Sequence, residues 1–370
     1  MILLLALGIG SATEPVPPPK ARIPTDEERL HELVADPTSA LLADSGTTRG
    51  FRIITLSNAA EASLRHARSG AWSFDDARQA ITRLAATAID RRISPFADPA
   101  GPYGQHNLYV THWLIVLTAL AELDPMHAEA QRGPTLADHL AAASLSHPSG
   151  IARSFDRSPA RWPADQAATL YALSHADRVW GGARLAKPLA RYVSVVPARD
   201  SAVAGLPVSE WTGAREFHDE PRGSALTWSV RYLADVDPEL ARRWWTAGKL
   251  TFESVGLGLV GFREWPAGHE HPADIDSGPI LLGMSAAATA FALGASRAMD
   301  DCPTYTALAH TQHAVKEMVA DPEVAATFGG VASMRAVQQT ALATAIAANQ
   351  GTIPTKCPDP ASTGVGQPPG

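Results

Sequence analysis

Apolar residues recur at helical spacing along the whole chain, whereas apolar–polar alternation of period two seldom lasts beyond a few residues. Stop signals such as "SGAW" at 69–72 and "DP" at 124–125 separate these helical stretches. The pattern predicts an all-α protein with twelve helices. They lie near residues 26–42, 52–66, 73–91, 105–122, 126–145, 164–177, 183–195, 223–234, 238–254, 279–297, 303–320 and 334–349.

The connections between these helices are of two kinds, which alternate along the chain. Short turns lie at 67–72, 123–125, 178–182, 235–237 and 298–302. Long connections lie at 92–104, 147–163, 196–222, 255–278 and 321–333. Long structureless loops are uncommon inside compact domains and often carry function. Because they alternate with tight turns, we expect all of them to emerge at the same end of a helical array.

The helices also differ in polarity according to the connection before them. Those after long loops, such as "PILLGMSAAATAFALGAS", are rich in small residues and nearly free of charge. Those after short turns, such as "PELARRWWTAGKLTF", have a charged face. A helix that is apolar nearly all round is buried, while an amphipathic helix lies outside. The pattern predicts an (α/α)6 toroid of six helical hairpins, each with one inner and one outer helix; two stacked helical bundles are the alternative.

We expect this toroid to be a single domain at 26–350, because the composition changes on both sides of it. Residues 1–12 contain an apolar run followed by small residues, which is typical of a secretory signal peptide, although no Lys or Arg precedes the run. A buried N-terminal segment is the alternative. Residues 13–25 are predicted to be a Pro-rich linker, and the Pro/Gly/Ser-rich residues 351–370 a disordered tail.

A secreted or periplasmic location follows from the predicted signal peptide. In an oxidising compartment, the only two cysteines, Cys302 and Cys357, could form a disulfide, although the sequence alone leaves this open. The apolar run is too short to cross a bilayer, which takes about 20 residues, so we expect no stable membrane span after signal removal. The net charge of −7 argues against nucleic-acid binding, which needs a basic surface.

The motif "WPA" occurs twice, at Trp162–Ala164 and Trp265–Ala267, each time shortly before acidic residues and a predicted inner helix. Free N–H groups and the helix dipole favour carboxylates at such helix starts, so capping by Asp165 and by Asp276–Ser277 is one interpretation. Aromatic rings beside carboxylates also suit sugar binding, because the apolar face of a pyranose can stack on the ring while acids bind its hydroxyl groups. A loop tryptophan that seals helix ends is the alternative.

Other polar and aromatic residues lie in the same loops. The stretch "WTGAREFHDEPRGS" precedes an inner helix, and its charges could instead form a solvated surface. Arg222 could hold an acidic substrate group or pair with Asp219. His106, beside Tyr103, could transfer protons or be hydrogen-bonded at a helix start. The predicted substrate-binding residues are Trp162, Trp265, Tyr103, His106, His218, Glu220, Arg222 and Asp274.

Glycoside hydrolysis usually needs two carboxyl groups, of which one is protonated and one ionised. We favour Glu264 as the acid, because the flanking Trp265 would desolvate it and raise its pKa. Asp276 would then be the base or second carboxylate. The predicted catalytic residues are Glu264, Asp276, Asp165 and Asp219.

The sequence gives no reason to expect a cofactor. No G-x-S-x-G, P-loop or strand–G-x-G-x-x-G pattern occurs. A metal ion is a competing interpretation that we do not adopt, because the fixed metalloprotease spacings are missing. Its ligands would be His269, His271, Asp274 and Asp276.

Six helical hairpins with one loop-bearing face resemble the (α/α)6 toroids of many glycoside hydrolases, polysaccharide lyases and the linalool dehydratase/isomerase group. The blocks "WPAD", "PRGSALTWS" and "REWP…DIDSGP" are also similar to those of bacterial envelope proteins of that architecture. The resemblance covers roughly residues 26–350 and implies a fold, without assigning any family's catalytic residues to this chain. Dehydratase/isomerase chemistry would suggest a cysteine pair near the inner helices, and no such pair occurs.

The leading hypothesis is therefore a carbohydrate-active enzyme, similar to a glycoside hydrolase, that cleaves a glycosidic bond by acid/base hydrolysis. Its expected partner is a glycan or small-molecule substrate. One alternative keeps the toroid but uses the same acids for elimination or isomerisation. The other is a non-catalytic envelope protein that binds a glycan or another protein.

Overall fold

Helices dominate the computed structural model, which describes residues 25–43, 52–96, 106–156, 158–199, 201, 203, 205–212, 218–274, 276–278, 280, 281, 283–320 and 357. The predicted all-α class is confirmed, with twelve α-helices within these ranges. They are α1 (Asp26–Ala35), α2 (Pro37–Ala43), α3 (Arg52–Arg68), α4 (Phe74–Ala88), α5 (Asn107–Leu123), α6 (Gly133–Leu145), α7 (Pro163–Trp180), α8 (Ala186–Val195), α9 (Gly223–Leu233), α10 (Pro238–Phe252), α11 (Ala286–Ala298) and α12 (Cys302–Ala320).

Two short antiparallel strand pairs accompany the helices in the described part of the chain. The first pairs β1 (Glu253–Gly256) with β2 (Leu259–Phe262), and the second pairs β3 (Ile280–Leu281) with β4 (Met284–Ser285). The first pair lies mainly in the predicted long connection 255–278, and the second lies where the sequence predicts the start of the helix 279–297.

Three predicted helix boundaries differ most from the structure, each for a local reason. The predicted helix 26–42 is divided into α1 and α2 by Pro37, since proline lacks the N–H group that a continuous helix needs. The predicted helix 126–145 begins only at Gly133, after a single 3-10 turn. The predicted helix 279–297 begins at Ala286, because Ser285 is its N-cap and accepts a hydrogen bond from the amide of Ala288 at 3.0 Å.

Helices α3, α5, α7, α9 and α11 pack side by side in chain order. A second set covers them: α4 lies on α3 and α5, α6 on α5 and α7, α10 on α9, and α12 on α11. Helix α5 is buried from Asn107 to Ala121, whereas α4 and α10 leave charged faces exposed. Helix α8, which the sequence predicts to be an outer helix, packs mainly on α6.

Buried polar side chains join three of the inner helices. Arg231 of α9 donates to Glu61 of α3 at 2.9 Å, and the hydroxyl of Tyr171 in α7 donates to the same carboxylate. The Arg231 guanidinium also lies over the rings of Tyr171 and Tyr232, at 5.0 and 4.7 Å from their centroids. Because each charge is paired and hydrogen-bonded, the cost of burying it is offset.

The end of the described helical region is tied to two other parts of the chain. Lys316 in α12 forms an ion pair with Asp26 at the start of α1. Cys302 at the start of α12 forms a disulfide with Cys357. The pairing that the sequence left open is therefore present.

Several predictions fall outside the described residues: the signal peptide at 1–12, the linker except Thr25, the helix at 334–349, and the tail except Cys357. Within the described ranges, no helix has the length and apolar character that a membrane span requires.

Candidate functional site

Three of the long connections contact one another. The amide of Trp211 donates to the carbonyl oxygen of Arg161 at 2.6 Å, and the indole Nε1 of Trp162 donates to Glu210 Oε2 at 3.2 Å. The amide of Gly223, at the start of α9, donates to the carbonyl oxygen of Glu264 at 2.8 Å. These contacts bring together the connections before α7, α9 and α11, as the alternation of short and long links predicts.

Arg222 lies at the centre of this region, with three carboxylates around its buried guanidinium. Its Nε donates to Glu264 Oε1 at 2.6 Å, and its two terminal nitrogens donate to the two oxygens of Asp274 at 2.7 and 2.9 Å. Asp276 is more distant, at 3.5 Å from Nη1. Burial disfavours the charged form of Arg222, but the three carboxylates outweigh burial and raise its pKa.

Glu264 lies beneath this cluster and is almost completely buried, with 1% of its surface exposed. Its Oε1 accepts hydrogen bonds from Arg222 and from the Ser224 hydroxyl, the latter at 2.6 Å. Its buried Oε2 has no hydrogen-bond partner in the described structure. Burial raises the pKa of Glu264, while Arg222 and Ser224 act in the opposite direction. The predicted direction of the shift is therefore present, although Glu264 is not exposed to a substrate.

Asp165 occupies the first turn of α7, where it accepts a hydrogen bond from the Ser154 hydroxyl. It is not the N-cap of α7, since that position belongs to Trp162. Burial raises the pKa of Asp165 to about 7; the bond from Ser154 lowers it and the charge on Asp276 raises it. The carboxyl group of Asp276 is 36% exposed. Asp165 and Asp276 thus influence each other electrostatically although 111 positions separate them in the sequence.

The two tryptophans of the repeated "WPA" motif have different environments. Trp162 is partly exposed, and the ring of Phe155 lies edge-on to it at 5.9 Å. Trp265 is only 3% exposed, because Arg222 covers its ring at 4.6 Å and His271 contacts it at 4.7 Å. Trp162 therefore offers the more accessible ring for a sugar.

No model of a known protein family matches this chain, and no curated protein matches it either. The interpretation of the site therefore depends on its own geometry and chemistry.

The remaining predicted residues lie around this cluster. Glu220 accepts from His271 at 3.2 Å and lies 3.4 Å from His269. Asp219 is 61% exposed and pairs with both Arg199 and His218, at 2.8 and 2.9 Å. These contacts occupy both carboxylates of the "HDE" segment.

His106 precedes α5 and pairs with Asp156 at 2.9 Å, with the ring of Phe96 stacked 4.2 Å away. Tyr103 lies outside the described residues. Among the described residues, no group of three or more His, Cys, Asp or Glu side chains has the geometry to hold a metal ion. The four ligands of the competing metal interpretation instead contact Glu220 or Arg222.

Sequence reasoning missed three polar partners of these residues: Ser154, Glu210 and Ser224. Ser154 and Glu210 lie in the middle of long connections, where neither helical spacing nor a motif distinguishes them from other loop residues. Ser224 follows Gly223 in "PRGS", and its position in the first turn of α9 was the only available signal.

Proposed function

We propose that this protein is a carbohydrate-active enzyme that hydrolyses a glycosidic bond, with Asp165 as the general acid and Asp276 as the second carboxyl group. The observation that carries the proposal is the position of Asp165 in the first turn of α7, where it is bound by Ser154, has a pKa raised to about 7 and feels the charge of the half-buried Asp276. An acid with this pKa keeps a substantial protonated fraction at neutral pH and can protonate the leaving oxygen. The ionised partner can then attack the sugar or activate a water molecule.

The neighbouring residues support this division of roles. Arg222 binds Asp274 through both carboxylate oxygens, and the backbone amide of Asp276 donates to Asp274 Oδ1 at 3.0 Å. This arrangement holds the loop that carries Asp276 in place. Trp162 precedes α7 and offers an aromatic ring close to Asp165 in the sequence, where a sugar ring could stack.

In this proposal Glu264, which the sequence favours as the general acid, is not the proton donor. A general acid must come within hydrogen-bond distance of the bond that it protonates. Glu264 is 1% exposed and is bound by Arg222 and Ser224. In this proposal Glu264 positions Arg222, and the proton donor is Asp165.

We also propose that the helical hairpins close into an (α/α)6 toroid and that the protein is secreted or periplasmic. The Lys316–Asp26 ion pair supports closure because it joins the first described helix to the last. The disulfide between Cys302 and Cys357 supports an oxidising compartment, where disulfides persist. A glycan would be the substrate under this proposal, and no cofactor takes part.

The test is to incubate the protein with a panel of neutral and acidic oligosaccharides and to measure hydrolysis by the release of reducing ends. We expect Asp165→Asn and Asp276→Asn each to lower kcat/KM at least about 100-fold, because general acid–base catalysis contributes about that much or more. The matched control is Asp75→Asn, whose side chain is 80% exposed on α4. Unchanged rates in both site variants would remove the proposed site.

Product analysis in ¹⁸O-labelled water separates hydrolysis from its alternatives. Hydrolysis places one labelled oxygen in the product, whereas elimination or isomerisation by the same acids does not. Binding without turnover over the whole panel would instead favour a non-catalytic glycan-binding protein.

A further inference from the structure

A pair of arginines lies in the connection between α6 and α7, beside the proposed active site. Arg161 is 8% exposed, and its Nη1 donates to the carbonyl oxygen of Ile151. Arg153 is half-buried, and its Nε is buried without a hydrogen-bond partner in the part of the chain that the structure describes. Both guanidinium groups are close enough to His147 to lower its pKa, after burial as the main cause.

These two arginines differ from Arg222 and Arg231, which are also buried, because no carboxylate neutralises them among the described residues. Arg222 lies 2.6 Å from Glu264, and Arg231 lies 2.9 Å from Glu61. Among the described residues, Arg161 has only the backbone carbonyl oxygen of Ile151 as an acceptor. Its pKa is lowered, first by burial and then by the positive charge of Arg153. A buried cation beside a second cation is unfavourable unless an anion joins them.

The position of the pair relates it directly to the proposed chemistry. Arg153 precedes Ser154, whose hydroxyl binds Asp165, and Arg161 precedes Trp162, the accessible ring. The backbone of Arg153 is held in place, since its carbonyl oxygen accepts from the Asn107 side chain at 2.6 Å. The two cations therefore lie on the same loop as the contacts that position the proton donor.

We propose that Arg153 and Arg161 form an anion-binding subsite that takes the carboxylate of an acidic sugar. Guanidinium groups bind carboxylates through paired, charge-assisted hydrogen bonds, which gives them both strength and orientation. The assignment of the anion to a glycan rests on the proposed function. It adds a substrate class: an oligosaccharide with uronic acid units rather than a neutral one.

The experiment is a ligand-detected NMR titration of the full-length protein with D-glucuronate, D-glucose and sodium sulfate at constant ionic strength. We expect D-glucuronate to bind at least about tenfold more tightly than D-glucose, because hydrogen bonds to charged groups are the stronger ones. It should also bind more tightly than sulfate, because sulfate has no sugar ring to contact the rest of the proposed site. Arg153→Gln and Arg161→Gln should each weaken D-glucuronate binding at least about tenfold. The control Arg243→Gln, on the exposed face of α10, should leave it unchanged.

Equal affinity for D-glucuronate and D-glucose, or no loss in Arg153→Gln, would overturn the subsite. Sulfate binding as tight as D-glucuronate binding would overturn the assignment to an acidic sugar. Arg161→Gln removes a bond to a buried carbonyl group, so its fold is checked by circular dichroism. If that variant is unfolded, Arg153→Gln decides the question, since the Arg153 side chain makes no hydrogen bond within the described ranges.

This test can fail independently of the proposed function. If Asp165→Asn abolishes turnover but Arg153→Gln cleaves neutral and acidic oligosaccharides as wild type does, the proposed enzyme activity is supported and the anion-binding subsite is contradicted. If Arg153→Gln loses D-glucuronate binding while Asp165→Asn keeps full turnover, the subsite is supported and the role of Asp165 as the general acid is contradicted.

Discussion

Asp165 and Asp274 illustrate at the residue scale how the environment gives similar side chains opposite properties. Both carboxyl groups are partly removed from water, and this burial by itself would raise the pKa of each. For Asp274 the bonds from Arg222 outweigh burial, so its pKa is lowered. For Asp165 the hydrogen bond from the Ser154 hydroxyl lowers the pKa, but burial outweighs it and the pKa is raised. Both residues are aspartates, and the hydrogen-bond donor beside each carboxyl group determines which of them can hold a proton near neutral pH.

The raised pKa of Asp165 predicts how stability changes with pH. In the unfolded chain Asp165 has its ordinary pKa near 3.8, and in the folded protein about 7. The folded state therefore binds this proton more tightly, so its stabilising effect is full below about pH 4 and is lost as pH rises to about 7. Asp165→Asn lacks this dependence, and its free energy of unfolding should gain roughly 1–4 kcal/mol relative to wild type between those limits.

Urea unfolding of both proteins at pH 5 and pH 8 measures the difference. Groups that do not interact with Asp165 titrate alike in the two proteins and cancel in the comparison. A constant difference between wild type and variant at the two pH values would show that Asp165 does not have a raised pKa.

The acidic residues of the proposed site stand out in the sequence, but their degree of burial, on which the proposed division of roles depends, could not be predicted. The "WPAD" and "DIDSGP" segments placed Asp165 and Asp276 at one region, and the structure brings them together. The choice of Glu264 as the acid relied on its neighbour Trp265, which does help to bury it. What sequence could not supply is the degree of burial, which here removes Glu264 from substrate contact.

At the scale of elements, the start of α9 fixes the distance between two parts of the site. A Cβ atom at Gly223 would lie 2.0 Å from the carbonyl oxygen of Arg263, which is backbone and cannot yield easily. The same glycine donates its amide to the carbonyl oxygen of Glu264. Helix α9 can therefore approach the Arg263–Glu264 segment closely only because residue 223 lacks a side chain.

Gly223→Ala should destabilise the protein by about 1–3 kcal/mol or more, since overpacking forces the backbone apart. Urea unfolding measures the effect, and the displaced Glu264 should also reduce turnover. Gly248→Ala in α10 is the matched control, because there the added Cβ would meet only a terminal methyl group of Leu226. Equal losses in the two variants would contradict the argument.

Element boundaries show where local patterns stop being sufficient. Apolar periodicity identified the helices, but the start of α11 was predicted at Pro279, and the β3–β4 turn occupies the intervening residues. Gly283 in that turn has a φ of 77°, and Ser285 then caps the helix. Pro279 and Ser285 are both residue types that commonly begin a helix, so the sequence could not decide where α11 starts. The β3–β4 pairing, which depends on tertiary contacts, decides it.

At the scale of the whole molecule, the disulfide constrains the part of the chain after α12. Cys302 and Cys357 are 55 residues apart, and closing a loop of that length removes conformational entropy from the unfolded chain. We expect the double variant Cys302→Ser/Cys357→Ser to lose about 2–4 kcal/mol in free energy of unfolding.

Urea unfolding with and without dithiothreitol tests this. The reductant should bring wild type close to the double variant and should leave the variant unaffected. Identical stabilities of oxidised wild type and the double variant would contradict the expected contribution.

The ion pair between Glu61 and Arg231 connects positions 170 residues apart. A fragment that contained only one of them would hold a charge in an apolar interior with no counterion, which is strongly unfavourable. A fragment with α3 but not α9, or with α9 but not α3, would therefore bury an uncompensated charge if it packed as in the native protein. The ion pair therefore links the stability of α3 to that of α9.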